Sequence, residues 1–256
     1  MQNVHVVGKG AASGEAAQTD QIFAETAEQG DFRFGKETAK VFDDMVGRSV
    51  PFYDEIQRMT SELAGTFAVS GSYLYDLGCA TGTTLALLDG TVNDGVHFVG
   101  VDNSEEMLAQ ARKKLEALGG KRTVDLVLAD VNEMPAMQPT SVVVMNLTLQ
   151  FVRPLYRERV LGQIFDALLE NGCLILVEKL TVKDSRLNRL FIEYYYDLKR
   201  RNGYSEIEIA RKREALENVL IPYRLEENLQ LLETAGFKTT EMFFRWYNFC
   251  GLLAVK

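Results

Sequence analysis

Apolar residues along the chain fall into short runs separated by polar, glycine-bearing turns, and their period changes from helical to strand-like and back. Two segments after Phe32 predict helices, Lys36–Val46 and Pro51–Phe67. In the second, Phe52, Ile56, Met59, Leu63 and Phe67 make a stripe at helical spacing, and Pro51 suits a first helical position. Four apolar runs then read as buried strands: Tyr73 to Leu77, one closing on Val99-Gly-Val-Asp102, Thr123 to Ala129, and Ser141 to Met145. Helices are expected from near Thr81 and from Ser104 to Leu118, where Ser104 suits the N-cap and Glu105 and Glu106 the first turn. A fifth strand, Cys173 to Val177, follows the Asn171-Gly172 turn.

Beyond it the region Ser185–Leu220 is helical in pattern. Asn202-Gly203 has the form of a C-cap, and Ser205-Glu-Ile-Glu208 that of a capping box opening a second helix. A helix near Leu225–Ala235 stops at Gly236, and strands Lys238–Tyr247 and Phe249–Val255 follow. The alternation predicts an α/β, Rossmann-like fold: a mostly parallel seven-stranded sheet with an antiparallel last strand, extra N-terminal helices and a helical insertion before a final hairpin. Residues 1–30, rich in Ala, Gly, Gln and Glu without apolar periodicity, are expected to be a disordered tail. Residues 31–256 are expected to form a single domain, with the insertion at about 185–220.

The turn between the first strand and its helix carries the chemistry. Tyr75-Asp-Leu-Gly-Cys-Ala-Thr-Gly82 has two glycines, Gly78 and Gly82, where a dinucleotide fingerprint has three. By itself that turn leaves an S-adenosylmethionine (SAM) site, a nicotinamide site and a structural turn open. In a parallel sheet, ligands sit beyond the carboxyl ends of the strands. Gly78, Asp102, Asp130 and Asn146 stand at four successive strand ends. Asp102 suits two ribose hydroxyls, Asp130 the adenine amino group and Asn146 an amino-acid end. With the closing hairpin, this favours the class I SAM-methyltransferase fold and a SAM pocket.

Composition narrows the chemistry. Of 256 residues, 46% are hydrophobic and 25% charged, and no run approaches a membrane span. The formal net charge of −8 argues against stable nucleic-acid binding. Cys79, Cys173 and Cys250 make no Cys-x-x-Cys pair, and the only histidines are His5 and His97, so neither a metal site nor a histidine base is expected. A cytoplasmic location fits the scattered cysteines and the lack of a secretory pattern. In the insertion, Arg213 shares the face of Ile209, Leu216 and Leu220. A guanidinium there needs an anionic partner, either a structural carboxylate or a ligand carboxylate gripped bidentately.

Several blocks together resemble the carboxy-S-adenosyl-L-methionine (carboxy-SAM) synthase family. They are Arg48-Ser-Val-Pro-Phe-Tyr53, Tyr75-Asp-Leu-Gly-Cys79, Asp102-Asn-Ser104, Asn146-Leu-Thr-Leu-Gln-Phe151, Lys199-Arg-Arg-Asn-Gly-Tyr-Ser-Glu206, Lys212-Arg213 and Leu216-Glu-Asn-Val219, with the ending Tyr247-Asn-Phe249 and Leu253-Ala-Val-Lys256. The resemblance runs from about Phe32 to Lys256. It implies a homodimeric transferase that converts SAM and prephenate to carboxy-SAM, used in forming 5-carboxymethoxyuridine at the tRNA wobble position. It also implies ligand contacts at Tyr53, Gly78, Cys79, Ala80, Asp102, Asn103, Asp130, Val131, Asn146 and Arg213, with Arg213 receiving the new carboxylate. A conventional methyltransferase acting on a small molecule or tRNA is the alternative. Two positions depart from the family pattern: Ala80 stands where serine is common, and Tyr195-Tyr196 replaces a histidine pair.

Overall fold

The computed structural model describes residues 19–24, 32, 34–117, 119, 122, 124–134 and 136–256. The chain runs through helices α1 (Lys36–Ser49) and α2 (Tyr53–Phe67) into strand β1 (Tyr73–Leu77), then α3 (Thr83–Leu88), β2 (His97–Asp102), α4 (Glu105–Ala117), β3 (Val124–Leu128) and β4 (Thr140–Asn146). It continues through α5 (Pro154–Ala167), β5 (Leu168–Thr181), α6 (Ser185–Arg201), α7 (Glu206–Leu216), β6 (Tyr223–Arg224), α8 (Leu225–Ala235), β7 (Thr239–Trp246) and β8 (Phe249–Val255). Leu118 and Thr123, expected at element ends, lie outside the described residues, as do His5 and most of the segment 1–30.

The sheet order is β3-β2-β1-β4-β5-β8-β7, with β8 antiparallel to both its neighbours. β6 pairs in parallel with the end of β5, an addition to the seven strands expected. Two residues carry no readable period. Alternation along each strand divides the core between two faces. Leu77, Val101, Met145 and Leu176 pack on one side with Val160, Leu161 and Ile164 of α5 and Leu232 of α8. Leu74, Phe98, Val144 and Ile175 pack on the other with Ala64 of α2, Leu85 and Leu88 of α3, and Leu108 of α4.

Local signals behave as the sequence implies at most boundaries. The Ser104 hydroxyl accepts from Met107 N, Ser205 and Glu208 form a reciprocal capping box, and Gly203 and Gly236 take positive φ at helix ends. The start of α2 differs. Pro51 precedes the helix, and Phe52 sits at φ 51° with 62% of its surface exposed, outside the buried stripe. The buried face is Ile56, Gln57, Thr60, Ser61 and Ala64. At Gly65 a Cβ would lie 2.9 Å from Thr91 O, so α2 packs close on its small residues. Residues 19–24, inside the expected tail, also pack. Asp20 is buried, and its backbone carbonyl accepts from Arg48 of α1 at 2.8 Å.

Candidate active site

The strand order reverses between β1 and β4, which opens a crevice beyond their carboxyl ends. Gly78, at φ 78°, turns the chain out of β1; a Cβ there would meet Thr148 Oγ1 at 2.3 Å, so only glycine lets the two loops touch. Ala80 and Leu147 also hold positive φ, 45° and 60°, on either side of the crevice. Left-handed non-glycine backbone is uncommon and gathers at functional sites. The turn is pinned by Asp102, whose Oδ2 accepts from Ala80 N and whose Oδ1 accepts from Ser104 N, both at 2.9 Å. Each oxygen keeps a second lone pair for a ligand hydroxyl. Burial raises the Asp102 pKa, and these backbone donors oppose that shift.

Asp130 ends the loop after β3. Its Oδ1 caps the short 3-10 turn Val131–Glu133 by accepting from Asn132 N at 2.8 Å, and no hydrogen bond from the described residues reaches Oδ2. At the end of β4, Asn146 Oδ1 is buried without a partner among the described residues. A buried orphan acceptor facing a cavity marks a place for a donor. The roof comes from α1 and the chain before it. Asp43 accepts from Thr81, Thr83 and Lys114, the last at 2.6 Å, clamping α1 across the glycine turn to α4. Phe34 meets Phe151 edge-on at 5.3 Å. The Tyr53 hydroxyl accepts from Gln57 at 2.8 Å.

These parts enclose a cavity of about 450 Å³, in the range of a cofactor-sized site. Tyr53, Gly78, Cys79, Ala80, Asp102, Asn103, Asp130, Val131, Asn146 and Arg213 all line it. Arg213 stands at the rim. Its side chain is 60% exposed and lies 3.8 Å from Glu214, while the residue that α7 buries beside Ile209 is Lys212. Three lysines, Lys179, Lys199 and Lys212, also line the cavity; the basic clusters Lys199-Arg-Arg201 and Arg211-Lys-Arg213 read from sequence as mostly a solvated helix face, but packing buries Lys199 and Lys212, and the three lysines lie on three elements with no shared spacing. Asp76 was also missed as a titrating group. It is buried in β1, its Oδ2 has no partner among the described residues, and burial, with the neighbouring Asp102 charge, pushes its pKa up to about 7.

The acceptor set fits a nucleoside joined to an amino acid: a buried carboxylate at β2, a free carboxylate oxygen at Asp130 and the Asn146 carbonyl are acceptors for hydroxyls and amino groups. Fold and site together define a class I SAM-methyltransferase fold, and the comparisons agree. The family described as "Methyltransferase domain" matches residues 74–172. A SAM-dependent methyltransferase structure from Aquifex aeolicus superposes with a TM-score of 0.58 at 17% identity, covering 87% of this chain and 99% of that one. The carboxy-SAM synthase of Methylococcus capsulatus is 56% identical over 88% of this chain and 94% of its own length. That of Sulfurimonas denitrificans is 44% identical over 93% and 99%. The chain belongs to the carboxy-SAM synthase family and is a SAM-using transferase. Among the described residues, no helix is long and apolar enough to cross a membrane.

Proposed function

We propose that this protein converts SAM and prephenate to carboxy-SAM and phenylpyruvate, as a cytoplasmic homodimer that binds no nucleic acid stably, supplying 5-carboxymethoxyuridine formation at the tRNA wobble position. The observation that carries the reading is Arg213. It comes from the helical insertion yet lines the same cavity as the nucleoside-end residues, and transfer of an uncharged methyl group has no use for a guanidinium there. A guanidinium matches a carboxylate as a planar fork.

In this reading the Asp102 carboxylate takes the ribose hydroxyls, and Asn103, Asp130 and Val131 border the adenine. Asn146 and the backbone of Gly78, Cys79 and Ala80 hold the amino-acid end, and Tyr53 covers the pocket. The sulfonium supplies a methyl group with acidified C–H bonds. Across the reaction one methyl C–H bond breaks and its electron pair forms the new bond to prephenate's ring carboxyl carbon; the bond from the ring to that carboxyl breaks, its electron pair aromatises the ring and expels the ring hydroxyl, which takes the proton as water. Arg213 meets the carboxylate as it forms, so its charge assists product more than substrate. Incubation with SAM and prephenate followed by mass spectrometry of the nucleoside tests this. A gain of one carboxyl group is expected. A demethylated nucleoside with a methylated acceptor would instead identify a conventional methyltransferase.

A further inference from the structure

The inner wall of the cavity carries more positive charge than a SAM pocket needs. Lys179 rises from the end of β5 and Lys199 from the last turn of α6, and their ammonium groups lie 4.6 and 4.8 Å from the centre of the same Tyr195 ring. Lys212 of α7 joins them. It donates to Ser49 Oγ at 3.0 Å, lies 3.9 Å from Asp20 and faces the Tyr204 ring at 5.2 Å. Lys199 reaches that ring too, at 5.9 Å. Among the described residues, neither Lys179 nor Lys199 has a side-chain hydrogen bond or ion pair. An aromatic face attracts a cation but does not neutralise it.

Of the nearby carboxylates, Asp20 is taken up by Lys212 and the Tyr204 hydroxyl and acts on Lys199 only from beyond ion-pair distance, and the others are engaged elsewhere. Asp20 Oδ2 accepts from the Tyr204 hydroxyl, Asp44 pairs with Arg48, and Glu208 closes the capping box with Ser205. Two buried cations are left around one ring, lining the cavity and without a carboxylate at ion-pair distance among the described residues. That arrangement is unfavourable in an empty pocket and favourable once an anion enters.

We infer that Lys179 and Lys199, backed by Lys212 and organised around Tyr195, form the subsite for a carboxylate of the second, dianionic substrate. Arg213 stays at the rim for the carboxylate of the product. The assignment rests on the proposed two-substrate reading, because a plain methyl acceptor would leave these cations unpaired. Burial supports it. The Lys179 and Lys212 pKa values are pushed down to about 8, and that of Lys199 is pushed well below lysine's ordinary value by burial and then by its two lysine neighbours. A bound carboxylate favours the charged forms, so binding at about pH 8 is accompanied by proton uptake.

Calorimetry of prephenate binding to the full-length protein saturated with S-adenosylhomocysteine tests this, run in two buffers of different ionisation heat. Wild type is expected to take up protons at about pH 8. Lys199→Gln and Lys179→Gln are each expected to weaken prephenate by about tenfold or more and to reduce the uptake, with nucleoside affinity unchanged. Lys179→Arg keeps the charge and recovers part of the affinity. Thermal unfolding separates this from a structural role: loss of one of several crowded cations should leave Lys199→Gln at least as stable as wild type, whereas loss of a structural contact would destabilise it. Unchanged prephenate affinity in both glutamine variants, or binding without proton uptake, overturns the assignment. If S-adenosylhomocysteine itself does not bind, the proposed function fails instead, and lysine-dependent prephenate binding without nucleoside would still uphold the subsite.

Discussion

Two single residues carry opposite tasks and can be told apart by affinity. In the proposed function Asp102 holds the part of the nucleoside common to substrate and product, so Asp102→Ala should weaken both by about 1.5–3 kcal/mol, the range for a hydrogen bond to a charged group. Arg213, in the same proposal, meets what differs between them. Arg213→Ala should lose a similar amount for carboxy-SAM and little for SAM, read by competition calorimetry; an equal loss for both ligands would make Arg213 a structural residue. Its exposure at the rim keeps the expected loss below that of a fully buried pair. Asp76 gives a pH signature of its own. Its folded pKa of about 7 lies above the unfolded value, so the folded state holds the extra proton between those values. Its contribution to stability is therefore full below the unfolded pKa and is lost as pH rises towards 7, with a slope of at most about 1.4 kcal/mol per pH unit. Asp76→Asn should flatten that slope in melting curves across this range, and an unchanged slope would count against a buried, titrating Asp76. At this scale the sequence was readable where chemistry sat on a motif: the glycine turn and the strand-end Asp102, Asp130 and Asn146 reach one cavity. It was opaque for Lys179 and Lys199. A lysine after a strand or in a last helical turn reads as a solvated charge, and it is the tertiary packing around Tyr195 and Tyr204 that takes these two out of water.

Among the elements, the loop after β4 depends on a guanidinium from the helix behind it. Arg157 of α5 is wholly buried and donates to the carbonyls of Val152, Gln150 and Ile221, while its guanidinium stacks 4.1 Å from the Tyr223 ring. In Arg157→Met the Val152 and Ile221 carbonyls lose their donor, while Gln150 O keeps the Ile221 N–H at 2.9 Å, and each buried acceptor left unpaired costs about 1–3 kcal/mol. The variant should unfold several kcal/mol sooner in urea. Its nucleoside affinity should also fall, because the same loop holds Leu147 and Thr148 against the glycine turn. Wild-type stability would mean the carbonyls find other donors. Helix boundaries were legible wherever a side chain or glycine closes the end locally, as at Ser205, Gly203 and Gly236. The start of α2 was not, since Phe52 continues the apolar period while its left-handed backbone at φ 51° sets it before the first helical residue and out of the buried face. The two-residue β6 and the docking of Asp20 are likewise products of tertiary packing.

For the molecule as a whole, the Tyr194-Tyr-Tyr196 run divides its faces. Tyr195 turns into the core and Tyr196 borders the cavity, while Tyr194 remains 38% exposed and packs 5.0 Å from Tyr247, itself 41% exposed. With Leu187 of the same helix, 47% exposed, they form an apolar surface suited to a second copy of the chain. Light scattering at micromolar concentration should give twice 28.8 kDa, and Tyr194→Glu should shift the population towards monomer. A wild-type mass of one chain would sink the homodimer. The placement of β8 between β5 and β7 has a different consequence, one in time. Lys179 waits about seventy residues of synthesis for its partner Phe249. At ribosomal rates of about 5–20 residues per second that is roughly 4–14 s. Throughout that interval the edge of β5, with Leu174 to Val177 destined for full burial, has no strand beside it. An open apolar edge recruits other chains, so crowding on the polysome and holdase supply, rather than the stability of the finished fold, should set the yield of this protein in a cell.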